Sequence, residues 1–408
     1  MEKAKRKKVC LLTDHHISLN PRLWKEAFFY EQLGFEVVIL SMWQWKDTFQ
    51  KDMDLLKGHN ITYKAYLSLL PEETGKVFQF FLKARKKVAG EFQKRFNIST
   101  PWAISYAPGL MFKKAVDENA DLYASHLECA FYAGRKLIKA GRKVSFDFED
   151  WYSRDYLIPS RPVKLLRILE KFALGNGLFC TAASQSMAVA LIDYYKANNN
   201  LTVIYNGFPI IDARVKGKEI SHNDHIIKLI WFSRTIGPGR GIEFLLKELS
   251  LCQQPVELNL LGKMRAGFKQ VLEENFVKLK KHGLVIHDFI PHRHLSQFIA
   301  KFDIGLAIEE NINDNKFLTV SNKMLQYIQA GIPVIASNTK GQMEVAEYFP
   351  QTVSLIDLAK RGVLDNAIEQ LKKSNRGQLD EACHFKNIFS WEAQENKFLK
   401  VLKEHNLL

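Results

Sequence analysis

The chain has little with which to span a membrane, build a disulfide framework or hold a metal. No window of its 408 residues approaches the roughly 18 consecutive apolar positions of a spanning helix, so the protein is expected to be soluble or to lie on a membrane surface. Cysteines are few and odd in number (Cys10, Cys129, Cys180, Cys252, Cys383), without a C-x-x-C pair. They read as buried thiols of a reducing compartment. With only 12 prolines, 47% hydrophobic and 25% charged residues, neither a disordered nor a fibrous chain is described. The start, MEKAKRKKVCLL, is basic but runs into a strand with no small-residue cleavage site. No signal peptide is read, and the expected place is the cytoplasm, free or peripheral on the inner face of its membrane. His287, His292 and His294 straddle a strand end and a proline loop without ligand spacing, so no metal is expected there. Acidic residues are the minority, 44 against 58 basic ones, for a net charge of +14. That excess would suit nucleic acid, but no RNP, KH, helix-turn-helix or finger pattern accompanies it, and no nucleic-acid partner is read.

What the chain does have is a repeated alternation. Val9 to Leu12 is expected as a strand, Pro21 to Leu33 as a helix and Val37 to Leu40 as a strand. Ala120 to Tyr123, Val144 to Phe148 and Leu178 to Ala182 read as further strands between helical patterns. After LTVIYNGF (201–208) comes the polar interval VKGKEISHND (215–224), and from Ile226 the alternation restarts with KLIWFS, VELNLLG (256–262), LVIHDFI (284–290), DIGLAI (303–308) and PVIAS. The expected fold is α/β: two Rossmann-like domains with parallel sheets, 1–214 and 215–385, facing a central cleft. Two domains also match the length, and ligands of such sheets lie beyond the C-terminal strand ends.

Two segments carry chemistry. In TVSNKMLQYIQAGIPVIAS (319–337), Ser321 is the expected N-cap, Met324, Leu325 and Ile328 form an apolar face, and Gly331 ends the helix before Pro333 to Ala336 extend. Lys323 is a cation in the first turn. It opposes the helix dipole at a cost of up to about 1 kcal/mol, unless a phosphate accepts both the backbone N–H groups and the ammonium. A lysine that snorkels into water is the other reading. In KLIWFSRTIGPGRGIEFLLKELSL (228–251), Gly237, Gly239 and Gly241 permit a close backbone approach between strand and helix, with Arg234 and Arg240 on either side. The turn lacks the GK[ST] ending of a P-loop and the last glycine of the dinucleotide fingerprint, and alone it equally fits a tight turn with two solvated arginines. Two cation-headed helix starts in one α/β region describe a diphosphate gripped from two sides.

SNKMLQYIQAGIPVIAS and SRTIGPGRG, together with PRLWKEA (21–27), ADLYASHLE (120–128), KVSFDFED (143–150) and VIYNGF (203–208), resemble the glycosyltransferases of the GT-B fold, and more narrowly the retaining family-4 (group 1) enzymes. SWEAQENKFLKVL (390–402) is similar to the terminal helix that crosses back to the first domain in that fold, here residues 386–408. The resemblance implies an N-terminal acceptor domain and a C-terminal nucleotide-sugar domain, with no cofactor and no metal beyond the nucleoside-diphosphate sugar. Arg234 and Arg240 would grip the diphosphate and stabilise the leaving group. Gly262, Thr319, Ser321, Asn322 and Lys323 would complete the phosphate side. Gln326 stands where the family usually has a ribose-binding Glu, and Leu318 where its sugar-binding Glu falls; an amide can still bond hydroxyls. His126 falls where relatives place a histidine facing the reacting sugar, although a lone histidine after a strand also suits a structural role. Glu149 and Asp150, and Asp14, His15 and His16 after the first strand, lie on the acceptor side; the adjacent acids equally fit a solvated loop.

The implied activity is retaining transfer of a hexose-type sugar from a UDP- or GDP-sugar to a saccharide or lipid-linked saccharide of cell-surface polysaccharide or glycolipid synthesis. The alternatives are a nucleotide-sugar 2-epimerase and a catalytically silent GT-B protein that binds a nucleotide-sugar or a partner. Residues 74–96 add a basic amphipathic helix, with Val77, Phe81, Ala84, Val88, Phe92 and Phe96 on one face and lysines and arginines on the rest. It fits an anionic membrane surface or an ordinary helix with a solvated basic face.

Overall fold

The computed structural model describes residues 6–155, 158–197, 201–210, 226–288, 290–374 and 383–408, excepting the side chains of residues 292 and 293. They form two compact units, Met1–Ile204 with Lys397–Leu408, and Tyr205–Asn396. The expected boundary between residues 214 and 215 lies outside the described residues.

The first unit holds a sheet of β1 (Lys8–Leu12), β2 (Glu36–Trp43), β3 (Ile61–Ser68), β4 (Leu122–His126), β5 (Val144–Phe148), β6 (Cys180–Ala182) and β7 (Thr202–Val203). Its order is β3-β2-β1-β4-β5-β6-β7, parallel throughout. Every residue of β4 and β5 is buried, which explains why these strands read as continuous runs instead of alternating patterns. The chain runs outward from β1 to β3 and then returns to place β4 against the other side of β1, so the strand order reverses between β1 and β4.

The second unit repeats this plan with β8 (Ile227–Ile236), β9 (Val256–Met264), β10 (Gly283–His287), β11 (Ile304–Ala307), β12 (Val334–Ser337) and β13 (Val353–Ile356), ordered β10-β9-β8-β11-β12-β13. Its reversal lies between β8 and β11. Leu229, Trp231, Leu258, Ile304, Leu306 and Ile335 form the middle of its core. The helix Asn322–Gln329 is pinned to this sheet by Tyr327, whose hydroxyl donates to the Ile230 carbonyl at 3.0 Å. A Cβ on Gly305 would stand 2.3 Å from the Tyr327 ring, so only glycine lets the helix lie this close.

The sequence-expected strands are present with shifted ends. Ala120 to Tyr123 moves to Leu122–His126, and the strand-like 201–208 shortens to Thr202–Val203. After a π-helical turn, Phe385–Phe389, the last helix runs Trp391–Glu404; its residues up to Asn396 belong to the second unit and those from Lys397 to the first. Four cysteines are buried free thiols, whereas Cys383 is exposed, against the expectation for it.

Candidate functional site

In the second unit the chemistry collects where β8 and β11 part. β8 carries an irregularity between Phe232 and Thr235, and Gly262 of β9 lies against it. Gly262 has φ 145°, and a Cβ there would stand 2.0 Å from the Ser233 carbonyl oxygen. Gly262→Ala is therefore expected to cost about 1–3 kcal/mol, seen as a lower unfolding midpoint, and to shift the strand that carries Ser233 and Arg234. Beyond β8 the turn holds Gly239 and Gly241 at φ 69° and 81°, and the Gly239 N–H donates to Glu243 at 2.9 Å. Arg234 and Arg240 are both exposed, and Arg240 donates to the Ser233 hydroxyl at 3.0 Å.

Lys323 reaches the same sheet edge from the helix Asn322–Gln329. Its ammonium lies 5.9 Å from the centre of the Trp231 ring, within cation–π range, and bonds the carboxylate of Glu309, just past β11. Ser321 stands at the expected N-cap, but its hydroxyl donates to the same Glu309 oxygen at 3.0 Å and makes no capping hydrogen bond to the helix. Burial would raise the Glu309 pKa, but the charges of Lys323 and Lys316 hold it below the usual range. The first-turn cation thus has an internal counter-charge, so no external anion is needed to balance it.

The other donor-side residues vary in access. Asn322 is exposed and accepts from Asn206 at 3.1 Å. The Thr319 hydroxyl donates to the Asn315 carbonyl at 2.7 Å. Gln326 is 1% exposed, its amide donating to Ser296 at 2.6 Å and Gln329 at 3.0 Å, while its oxygen has no hydrogen-bond partner. The expected contact of Gln326 with a ribose does not fit a side chain so enclosed, because its donors are already engaged inside the unit.

In the first unit the corresponding reversal, between β1 and β4, is built over a buried ionic cluster. Arg22 grips Asp147 with two hydrogen bonds, 2.8 Å from Nε and 2.5 Å from a terminal nitrogen, and bonds the Ile204 carbonyl with the other. Thr181 donates to Asp147 at 2.6 Å. His126, fully buried at the end of β4, has Nε2 2.9 Å from Glu26 and Nδ1 2.8 Å from Glu149. Burial alone would lower its pKa; the charge of Glu26 and the hydrogen bond of Glu149 instead hold it up to about 10. The protonated form is thus favoured, with Nδ1 hydrogen-bonded to Glu149 and Nε2 within ion-pair reach of Glu26 but without a hydrogen bond to it. Asn20 donates to the same Glu149 oxygen at 2.7 Å. Glu26, His126 and Asp147 bring ligand atoms within 4.8 Å of one another, but Arg22 takes both Asp147 oxygens and Thr181 one of them, so the acid is engaged from within.

The geometry sorts the acceptor-side expectations. His15 is half exposed and hydrogen-bonded to Asp14 at 3.2 Å; burial would lower its pKa, and Asp14 raises it. Glu149 and Asp150 are partly exposed beyond β5. His16 is a correction. Its ring is fully buried, Nδ1 bonds Asp52 at 2.5 Å, and Nε2 accepts from the backbone of Gln44 and Trp45 at 2.9 and 3.2 Å, so it braces a loop and has no surface for an acceptor. His126 is likewise too deep to touch a sugar directly. Sequence reasoning missed Asn20, Arg22, Glu26, Asp147 and Glu309. Arg22, Glu26 and Asp147 lie in segments that carry the family resemblance, and the one signal was charge in PRLWKEA and KVSFDFED, where apolar residues would suit a core. Between His126 and Glu128, Leu127 takes a left-handed φ of 69°, a strained conformation for a leucine. Burial, opposed by Arg161, raises the Glu128 pKa to about 7.

Solved structures share this architecture over nearly the full length. HepE of Anabaena, in complex with UDP, is 17% identical, with 97% of this chain and 100% of that one covered at a TM-score of 0.64. The fold is GT-B. A glycosyltransferase from Rickettsia africae is 14% identical over 98% of this chain and 99% of that one, TM-score 0.63. A second kind of GT-B protein is also similar: one from Listeria monocytogenes described as a UDP-N-acetylglucosamine 2-epimerase, 13% identical over 98% and 97% of the two chains, TM-score 0.52. No protein-family model matches the chain, and neither does any curated protein. At these identities the likeness is one of fold.

Proposed function

We propose that this GT-B protein is a metal-independent, retaining glycosyltransferase that moves a hexose-type sugar from a nucleoside-diphosphate sugar to a saccharide or lipid-linked saccharide of cell-surface polysaccharide or glycolipid synthesis. The observation that carries the reading is that Arg240 bonds Ser233 while Lys323 lies over Trp231, two residues away on the same strand. A diphosphate there would meet an exposed guanidinium, an ammonium and the first turn of the helix Asn322–Gln329, all of which stabilise charge on a departing phosphate. UDP is the first nucleotide to try because the similar structures of HepE and of S. aureus TarM hold it, with GDP the second. Retention would follow a front-face course in which the leaving phosphate helps to deprotonate the acceptor. On the acceptor side Asp14, His15, Glu149 and Asp150 would bond hydroxyls, with His126 and Asn20 fixing one Glu149 oxygen so that the other is free to turn outward. The place of action would be the cytoplasm.

Titration calorimetry with UDP, GDP and their sugars tests the donor site, and the absence of binding by all of them would sink it. Glu309 gives that test a sign. Its carboxylate bonds two of the groups assigned to phosphate and adds a negative charge beside the diphosphate. Glu309→Gln is expected to tighten UDP binding about two- to fivefold, on the scale of a partly exposed ion pair. The likeness to an epimerase supports one rival. Isomerised donor appearing without an acceptor would favour it, and donor binding without any turnover would favour a catalytically silent protein.

A further inference from the structure

The helix Lys76–Phe96 has an apolar face that nothing among the described residues covers. At about 100° per residue its side chains sort into stripes along the axis. Leu82, Ala89 and Gln93 form the inner stripe and are buried. Lys76, Lys83, Lys87 and Lys94 form one flank, all exposed. Next to them lies an outer stripe of Val77, Phe80, Phe81, Val88, Phe92 and Phe96, each 46 to 71% exposed. The apolar face read from the sequence is this outer one, and a different stripe packs on the unit.

The attachment is firm, so the exposure does not come from a loosely held helix. Arg85 lies 4.5 Å from the Trp102 ring centre and bonds the Tyr106 carbonyl, Lys86 lies 4.7 Å from the Tyr106 ring, and a Cβ on Gly90 would meet Ser160 at 3.2 Å. Just beyond the helix, Ile98 and Trp102 are also exposed. Seven cations against the single acid Glu91 give the helix a charge of +6.

We propose that this outer face docks on an anionic lipid bilayer, with the phenylalanines at the acyl boundary and the flanking lysines on lipid phosphates. Charge selects this occupant. A second copy would set one +6 helix against another, and a nucleic acid would engage the lysines but leave the phenylalanine stripe unused. A bilayer surface takes up both, since the lysine stems reach past the aromatic stripe to the headgroups. The inference is independent of the donor site and goes beyond the proposed reaction.

The experiment is co-sedimentation of the full chain with vesicles of phosphatidylcholine alone and of phosphatidylcholine mixed with phosphatidylglycerol. Binding to the anionic vesicles is expected to be at least about tenfold stronger, because polybasic segments gain affinity with each lysine near the surface. The combined variant Lys76→Glu, Lys83→Glu, Lys87→Glu, Lys94→Glu should lose most of it, and Phe80→Ser with Phe81→Ser should weaken it severalfold. All six positions are exposed, and circular dichroism with thermal unfolding checks that the variants stay folded. An environment-sensitive dye on Phe81→Cys, with the exposed thiol removed by Cys383→Ser, should shift to the blue on anionic vesicles. Any of four results would overturn the proposal: no binding to anionic vesicles, equal binding to both kinds, unchanged binding by the lysine variant, or self-association or oligonucleotide binding through this face with no vesicle binding.

Discussion

His126→Ala is expected to lower the unfolding free energy by about 3–5 kcal/mol, the cost of removing one partner from a buried ionic cluster. The deleted ring stands between buried Glu26 and partly exposed Glu149, and both carboxylates would lose their cationic partner, Glu26 in a place closed to water. The effect carries a pH signature. The folded-state pKa of about 10 lies above the ordinary value of 6.5, so the stabilisation is present in full below about 6.5, declines as pH rises, and is gone above about 10. Urea unfolding of wild type and variant across that window should show a gap that narrows as pH rises. A gap constant with pH would mean that the histidine is neutral and simply fills space. His126→Gln, which keeps a donor, should recover part of the loss.

Arg240→Ala is expected to slow sugar transfer by about a hundredfold or more, the scale found when a donor aimed at developing charge is removed. The thermal midpoint should scarcely move, because the side chain is exposed and its single described hydrogen bond is to Ser233. Arg240→Lys should restore only part of the rate, since an ammonium cannot reproduce the planar fork of a guanidinium on a phosphate. The measurement is transfer from each candidate UDP- or GDP-sugar to a panel of saccharide acceptors without added metal. Undiminished transfer by the alanine variant would remove Arg240 from the donor site and leave Lys323 to be tried next.

These two residues mark different depths of legibility. Arg240 stands in a glycine-rich turn between an apolar run and a helical pattern, and local spacing alone placed it at a helix start. His126 could be numbered but not interpreted. Its partners Glu26 and Glu149 are 100 residues before it and 23 after it, and only the pairing of β4 with β1 and β5 brings them into contact. The same holds for Lys323, whose position was clear but whose counter-charge, 14 residues earlier, depends on the β11 end lying beside the helix start. His16 shows the converse, because it shares a dipeptide with half-exposed His15 yet is sealed by Asp52 and the backbone of Gln44 and Trp45.

By itself the sequence determined what repeats at short range: the α/β alternation, the two glycine and helix-start segments and the basic aromatic helix, since each is set by neighbours within one or two turns. Only the tertiary structure decided which charges are paired, which histidine is exposed and which stripe of the helix Lys76–Phe96 faces outward. Those outcomes depend on burial and on partners far away in the chain, and a side chain's charge state and accessibility are fixed by the medium around it, not by the residues beside it.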